Sequence, residues 1–312
     1  MFEYIADVCV YGLLGLSEAS KLGASFHFFV YDSLKIAFSI LIVISVIAFL
    51  RSYLSPETIK KVLSKEKFGL SYFVAAMFGA VSPFCSCSSI PIFIGFLEAG
   101  IPMGVAFSFL ITSPLVNEIL FVLMIGTFGL KTALLYAGFG ITLGVVGGMV
   151  LQRTRLQKDI IKLDKPGLGG ELPQDLKGKL KYAYEETAWI FKKVFPFIVI
   201  GVAIGAVIHG YVPTEFFTTY IKSDSFWAIP IATLIGVPLY AGCSTLVPIM
   251  FAFTQKGIAF GTAMALMMST AGLSLPEAII LKSVMKTRLL VVFFSMVAVG
   301  IMLVGYLFNL LY

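Results

Sequence analysis

Two cysteine–serine clusters interrupt the apolar sequence 157 residues apart. Pro-Phe-Cys-Ser-Cys-Ser-Ser-Ile-Pro at 83–91 is echoed by Tyr-Ala-Gly-Cys-Ser-Thr-Leu-Val-Pro at 240–248. The same offset, without a gap, pairs Pro56 with Pro213, Gly79 with Gly236, Pro91 with Pro248, Gly100 with Gly257 and Gly104 with Gly261. Two related halves, each broken by a small polar cluster inside an apolar segment, are the layout of a membrane transporter.

Apolar stretches cover 36–50, 68–84, 103–128, 132–151, 194–208, 226–241, 258–280 and 289–311. A helix needs about 20 residues to cross roughly 30 Å of hydrocarbon, so some of these reach a full span and others fall short. Only 13% of residues are charged and mean hydropathy is +0.97, against about 25% charged in a soluble domain. The expected fold is an all-α integral membrane protein, a polytopic helical bundle. The four cysteines form no CxxC pair, and three lie in apolar segments, which argues against a secreted disulfide framework. Glu3 and Asp7 precede the first basic residue, Lys21, so residues 1–16 do not read as a cleaved signal peptide. Residues 1–33 form an N-terminal segment, either an extra membrane helix or an interfacial one.

The net charge of +6 does not indicate nucleic acid, because the basic residues follow membrane topology. Eighteen of the 23 lie in 51–67, 152–193 and 282–288, as expected of loops on the cytoplasmic side. Loop 51–67 holds five basic residues, whereas its counterpart 208–224 holds only Lys222, with Glu215 and Asp224. Equivalent loops therefore fall on opposite sides, and the halves are expected to be inverted repeats. Residues 34–151 form the first membrane repeat, 152–187 a cytoplasmic linker, and 188–312 the second, inverted repeat. Pro56–Lys67 reads as a short surface helix with Ser55 as its N-cap, and 175–187 as an amphipathic one. Residues 68–98 must turn near Pro83–Ser89, and neither arm spans, which predicts a re-entrant hairpin. Residues 226–254 repeat it from the other side. Residues 103–128 cross as a helix broken at Thr112-Ser113-Pro114.

Non-helical backbone at membrane depth must be buried in protein or line a cavity, so two equivalent breaks predict a central site. The candidate substrate-binding groups are Cys85, Ser86, Cys87, Ser88 and Ser89 in one half and Cys243, Ser244 and Thr245 in the other. Thiolates are soft ligands suited to soft metals and trivalent metalloids. Helix starts at Ser88–Ile90 and Thr245–Val247 favour electronegative ligand groups. A small buried Cys also packs tight turns, and that reading stays open. Thr112 and Ser113 match Ser269 and Thr270, and Glu118 matches Glu277 after a two-residue slip. A carboxylate deep in a membrane costs about 2.5–3.5 kcal/mol on insertion scales. Glu118 and Glu277 are thus candidates for coupling or gating, with Asn117 as a neutral partner. Glu277 also lies near Lys282, where simple pairing is the alternative.

The run Ser82–Pro91, followed by Ile-Thr-Ser-Pro-Leu-Val-Asn-Glu at 111–118 and by Tyr240–Pro248, resembles the predicted-permease family that includes ArsP and YraQ. The resemblance covers roughly residues 30–310. ArsP is associated with efflux of trivalent organoarsenicals. The resemblance therefore implies a soft-metalloid substrate gripped by Cys85, Cys87 and Cys243, in the cytoplasmic membrane of a prokaryote. Fold transfers more securely than substrate.

The function expected is secondary-active export of a small thiol-reactive solute. The alternative is a permease for another small solute, such as a sulfur-containing anion held at the hairpin helix N-termini. The expected partners are a small-molecule substrate, the lipid bilayer and a coupling proton, with room for a homo-oligomer. No cofactor is expected, and no metal beyond a metalloid on the three cysteines. The chain holds only two His, at 27 and 209, and no GxxxxGK[ST] motif, which argues against an enzyme or direct ATP hydrolysis.

Overall fold

The computed structural model describes residues 2–13, 15–17, 20–51, 69–82, 86–98, 100–154, 156–161, 175–211, 226–239, 243–255 and 257–312. The expected surface helix at Pro56–Lys67 lies outside them. In chain order the α-helices are α1 (Phe2–Asp7), α2 (Lys21–Arg51), α3 (Leu70–Val81), α4 (Ser86–Glu98), α5 (Met103–Leu115), α6 (Glu118–Phe128) and α7 (Leu130–Arg153). They continue as α8 (Leu176–Tyr211), α9 (Ala228–Gly236), α10 (Cys243–Gln255), α11 (Phe260–Gly272), α12 (Leu275–Leu281) and α13 (Thr287–Leu311). A π-helical turn spans Val8–Leu13 and a 3-10 turn spans Leu156–Asp159. Among the described residues the only β-type pairing is an isolated bridge between Ile160 and Met285.

The 157-residue offset carries into the secondary structure. α4 and α10, α5 and α11, α6 and α12, and α7 and α13 each start 157 residues apart. Pro102 and Ala259, just before α5 and α11, have the same backbone angles, φ −54° and ψ 136°. Gly100 and Gly257 turn the chain ahead of them at φ +82° and +88°, a conformation that costs a residue without Cβ little.

Leu130–Arg153, Phe260–Leu281 and Thr287–Leu311 are long and apolar enough to cross a membrane. Met103–Leu115 and Glu118–Phe128 together are also long enough, but bend by 43° between them. Leu70–Val81 is only 12 residues, about 18 Å of helix, which is too short to span. With its many outward apolar side chains, this is a helical membrane protein. Leu134, Val146, Val291, Val299 and Leu303 are each more than half exposed, as lipid-facing residues are.

Close packing of α5 on α7 depends on glycine. A Cβ on Gly104 would collide with the Gly148 carbonyl, and one on Gly144 with Thr112 Oγ1. In the second half, a Cβ on Gly261 would collide with the Gly305 carbonyl, the same contact 157 residues on. At the Gly104 and Gly261 approaches a carboxamide closes the helix end. Gln152 Oε1 accepts the Gly104 N–H at 2.7 Å, and Asn309 Oδ1 accepts the Gly261 N–H at 2.6 Å.

The two clasps lie at opposite ends of the bundle. Gln152 is in the last turn of α7, next to Arg153. Asn309 is near the end of α13, where the Tyr312 and Thr132 hydroxyls are bonded at 2.5 Å and Lys131 Nζ sits 5.9 Å from the Tyr312 ring centre. Thr132 and Gln152 are twenty residues apart on one helix, about 30 Å at 1.5 Å per residue.

Two regions differ from the sequence expectation. The linker end and the following span are one continuous helix, α8, with Pro196 inside it; an amphipathic helix ending at 187 is not a separate element. No turn separates residues 21–33 from residue 34. α2 runs unbroken from Lys21 through residue 34, and α1 folds back on it. His27 Nε2 lies 2.8 Å from Asp7 Oδ1, and its ring stacks on Tyr11 at 5.2 Å.

Candidate functional site

The candidate site is the place where the breaks of the two halves lie against each other. α3 and α4 run alongside α5. Tyr72 lies beside Gly104, Gly79 lies beside Phe109 and Thr112, and the chain returns on α4 with the Phe96 ring 5.2 Å from that of Phe109. α3 therefore starts, and α4 ends, near the Gly104 end. α9 and α10 repeat this at the other end. There, Tyr306 OH donates to the Phe226 carbonyl at 2.7 Å, and the Phe251 and Phe128 rings are 5.5 Å apart. Helices of one half also pack on those of the other: α4 on α12, α10 on α6, α5 on α11, and α7 on α13.

The two breaks meet. Leu115 closes α5 and Gly272 closes α11, 157 residues apart; a Cβ on Gly272 would lie 2.7 Å from Leu115 Cδ2. Leu143 and Gly300, a second pair at this offset, also touch, since a Cβ on Gly300 would collide with Leu143 Cδ1.

The first break falls at Val116–Asn117, three residues later than the Thr112-Ser113-Pro114 expected from the sequence. Thr112 through Leu115 remain helical. Pro114 has no N–H, so the backbone bond back to Leu110 is lost, but the helix runs on to Leu115. The Thr112 carbonyl then accepts the Val116 N–H at 2.8 Å. Asn117 N-caps α6, its Oδ1 accepting the Leu120 N–H at 2.8 Å. The second break falls at Leu273–Ser274, after the helical Ser269 and Thr270.

The hydroxyls expected here are buried and bonded. Ser89 Oγ and Ser113 Oγ are 2.6 Å apart, joining α4 to α5. Thr112 Oγ1 donates to the Ser108 carbonyl at 2.8 Å, Ser269 Oγ to the Thr233 carbonyl at 2.5 Å, and Thr270 Oγ1 to the Leu266 carbonyl at 2.9 Å. Cys85 lies outside the described residues. Ser86, Cys87, Ser88, Cys243, Ser244 and Thr245 are described as backbone only, in the first turns of α4 and α10. Both helices start earlier than expected, at Ser86 and Cys243, so Ser86–Ser89 and Cys243–Thr245 form first turns rather than loops ahead of them.

The two glutamates are not equivalent. α6 opens on Glu118 and α12 on Leu275, so the position that answers Glu277 is Leu120. Glu118 is exposed, whereas Glu277 is 1% exposed. The two-residue slip assumed from sequence does not exist in the fold. Sequence reading missed Gln152 and Asn309, although two carboxamides at the same offset, each near the end of an apolar stretch, were the signal. Among the described residues no group of three or more His, Cys, Asp or Glu gathers at a metal-binding spacing.

Apolar helices long enough to span and helices broken at matching positions define a multi-pass helical membrane protein. The chain belongs to the ArsP_1 family, described as predicted permease, whose model matches residues 21–310. A UPF0718 protein of Methanocaldococcus jannaschii is 24% identical, the match covering 76% of this chain and 81% of that protein. The UPF0718 protein YcgR of Bacillus subtilis is 28% identical over 56% of this chain and 60% of its own length. A Streptococcus mutans protein named "Putative two-component membrane permease complex subunit" is 27% identical, over 60% and 63% respectively. The chain thus spans less than two thirds of the last two relatives. No solved structure matches.

Proposed function

We propose that the chain is a secondary-active permease of two inverted repeats that exports a small thiol-reactive solute, such as a trivalent organoarsenical. The observation that carries this reading is the meeting of the breaks at Leu115 and Gly272. Contact between residues at the same offset, here and at Leu143–Gly300, is what a twofold relation between halves produces. The Gly104–Gln152 and Gly261–Asn309 clasps at opposite ends support halves that point opposite ways, and so does the bias of basic residues between equivalent loops. α3–α4 and α9–α10 are then re-entrant hairpins, each entering from its own side.

In this arrangement the first turns of α4 and α10 start at membrane depth. Cys85, Cys87 and Cys243 supply soft sulfur ligands, with Ser86, Ser88, Ser89, Ser244 and Thr245 around them. A trivalent methylarsenical has two exchangeable positions, so two thiolates hold it and the third receives it in exchange. Glu277, buried in α12, is the better placed of the two carboxylates to carry a coupling proton, with Thr112, Ser113, Asn117, Ser269 and Thr270 shaping the breaks. The protein sits in the cytoplasmic membrane with the 152–187 linker inside. The Streptococcus mutans relative's name leaves a second subunit as a partner to seek.

A sulfur-containing anion held at the N-termini of the hairpin helices α4 and α10 is the second reading, favoured by the matched starts of those helices at Ser86 and Cys243. Uptake into liposomes by the purified protein separates the two. The first reading predicts pH-gradient-driven movement of trivalent methylarsenicals that is lost when Cys85, Cys87 and Cys243 become Ser. Sulfur-anion uptake untouched by those changes would replace it with the second.

A further inference from the structure

The corners joining each broken helix to the span after it are built differently. Between α6 and α7 the corner is the single residue Gly129, at φ +85° with nothing within 4 Å of where a Cβ would stand. Its N–H bonds back into α6, to the Ile125 carbonyl at 3.1 Å. The residue 157 positions on is Lys286, which precedes α13 as Gly129 precedes α7. Lys286 is tied to the start of the linker: its N–H donates to the Asp159 carbonyl at 2.8 Å, and its Nζ lies 3.7 Å from Asp159 Oδ1. Two residues further along, the Ile161 N–H donates to the Val284 carbonyl at 2.8 Å. Val284 and Met285 are buried, and Leu156 and Ile160 pack on the same core.

We propose that Leu156–Ile161 is a fixed strap that clamps the α12–α13 corner, so that opening of the broken helices concentrates at the Gly129 corner on the other side. Two backbone hydrogen bonds and buried apolar contacts hold the strap; the half-exposed ion pair adds little. The strap holds α12, with Glu277, against α4 and α8. α6 joins α7 through one glycine in a conformation other residues adopt at a cost, the kind of joint that absorbs large backbone rotations. The proposal rests on the alternating-access reading for its role in transport, but the difference in rigidity can be measured without a substrate.

Hydrogen–deuterium exchange of the full chain in lipid nanodiscs, followed by mass spectrometry, tests it. Amide exchange reports local opening, and peptides covering 127–131 are expected to exchange about tenfold faster than those covering 284–288. Ile161→Pro removes the strap's donor and should speed exchange at 284–288 about tenfold, whereas Ile161→Ala, which keeps the N–H, should change it by less than about threefold. Equal exchange at the two corners of the unaltered protein would overturn the strap, and so would an Ile161→Pro protein that folds and stays protected at 284–288. If Ile161→Pro does not fold, the comparison of the two corners in the unaltered protein still decides. Absence of uptake in liposomes alongside the expected asymmetry would count against the permease reading alone.

Discussion

At the first break Asn117 caps α6 through its side chain and Glu118 faces outward; at the second, Ser274 makes no side-chain cap and Glu277 is 1% exposed. The helices flanking the two breaks nevertheless begin at matching positions and are clasped by matching carboxamides. The halves share the contacts that position the broken helices and differ in the groups placed at the breaks. On the function proposed above, one half carries the buried carboxylate and the other the glycine joint.

The largest effect tests the shared scaffold. Gly104→Val and Gly261→Val each push a side chain into a neighbouring carbonyl, and each should cost about 3 kcal/mol or more. Thermal unfolding in detergent should show both variants losing most folded protein; tolerance of one alone would break the equivalence. Gln152→Leu and Asn309→Leu leave a glycine N–H without its partner and should each cost about 2 kcal/mol, read as similar drops in melting temperature.

Much of this comparison was legible in the sequence. The offset that pairs Gly104 with Gly261 also places the starts of α5 and α11, and the apolar stretches at 132–151 and 289–311 anticipate α7 and α13. What failed was local. Pro114 looks like the break but sits in the last turn, because a helix missing one bond can still close at Val116. Glu118 and Glu277 looked like partners because each follows a matched Ser/Thr pair, allowing a two-residue slip, but burial separates them and only the fold sets their register. The clamp on Lys286 pairs residues more than 120 positions apart through backbone atoms, which leave no side-chain signature.

The unlike breaks give the next two tests. Glu277→Gln should slow pH-gradient-driven uptake about tenfold, while Glu118→Gln should change it less than about threefold, as expected if only the buried carboxylate carries the proton. Equal losses would mean that burial does not distinguish the two. The smallest effect is at the caps. Asn117→Ala should cost about 1 kcal/mol, and Ser274→Ala clearly less, because only the Asn117 side chain bonds a helix N–H. Melting temperatures of the two variants, compared side by side, check this.

The most direct test of the inverted arrangement is the sidedness of one matched pair. Glu98 ends α4, and Gln255 ends α10 at the same offset. Glu98→Cys and Gln255→Cys are labelled separately with a membrane-impermeant maleimide, in intact cells and in inside-out vesicles, against the unaltered protein as background. Opposed halves predict that Glu98→Cys labels only in inside-out vesicles and Gln255→Cys only in intact cells. Labelling of both positions from the same side would contradict the account.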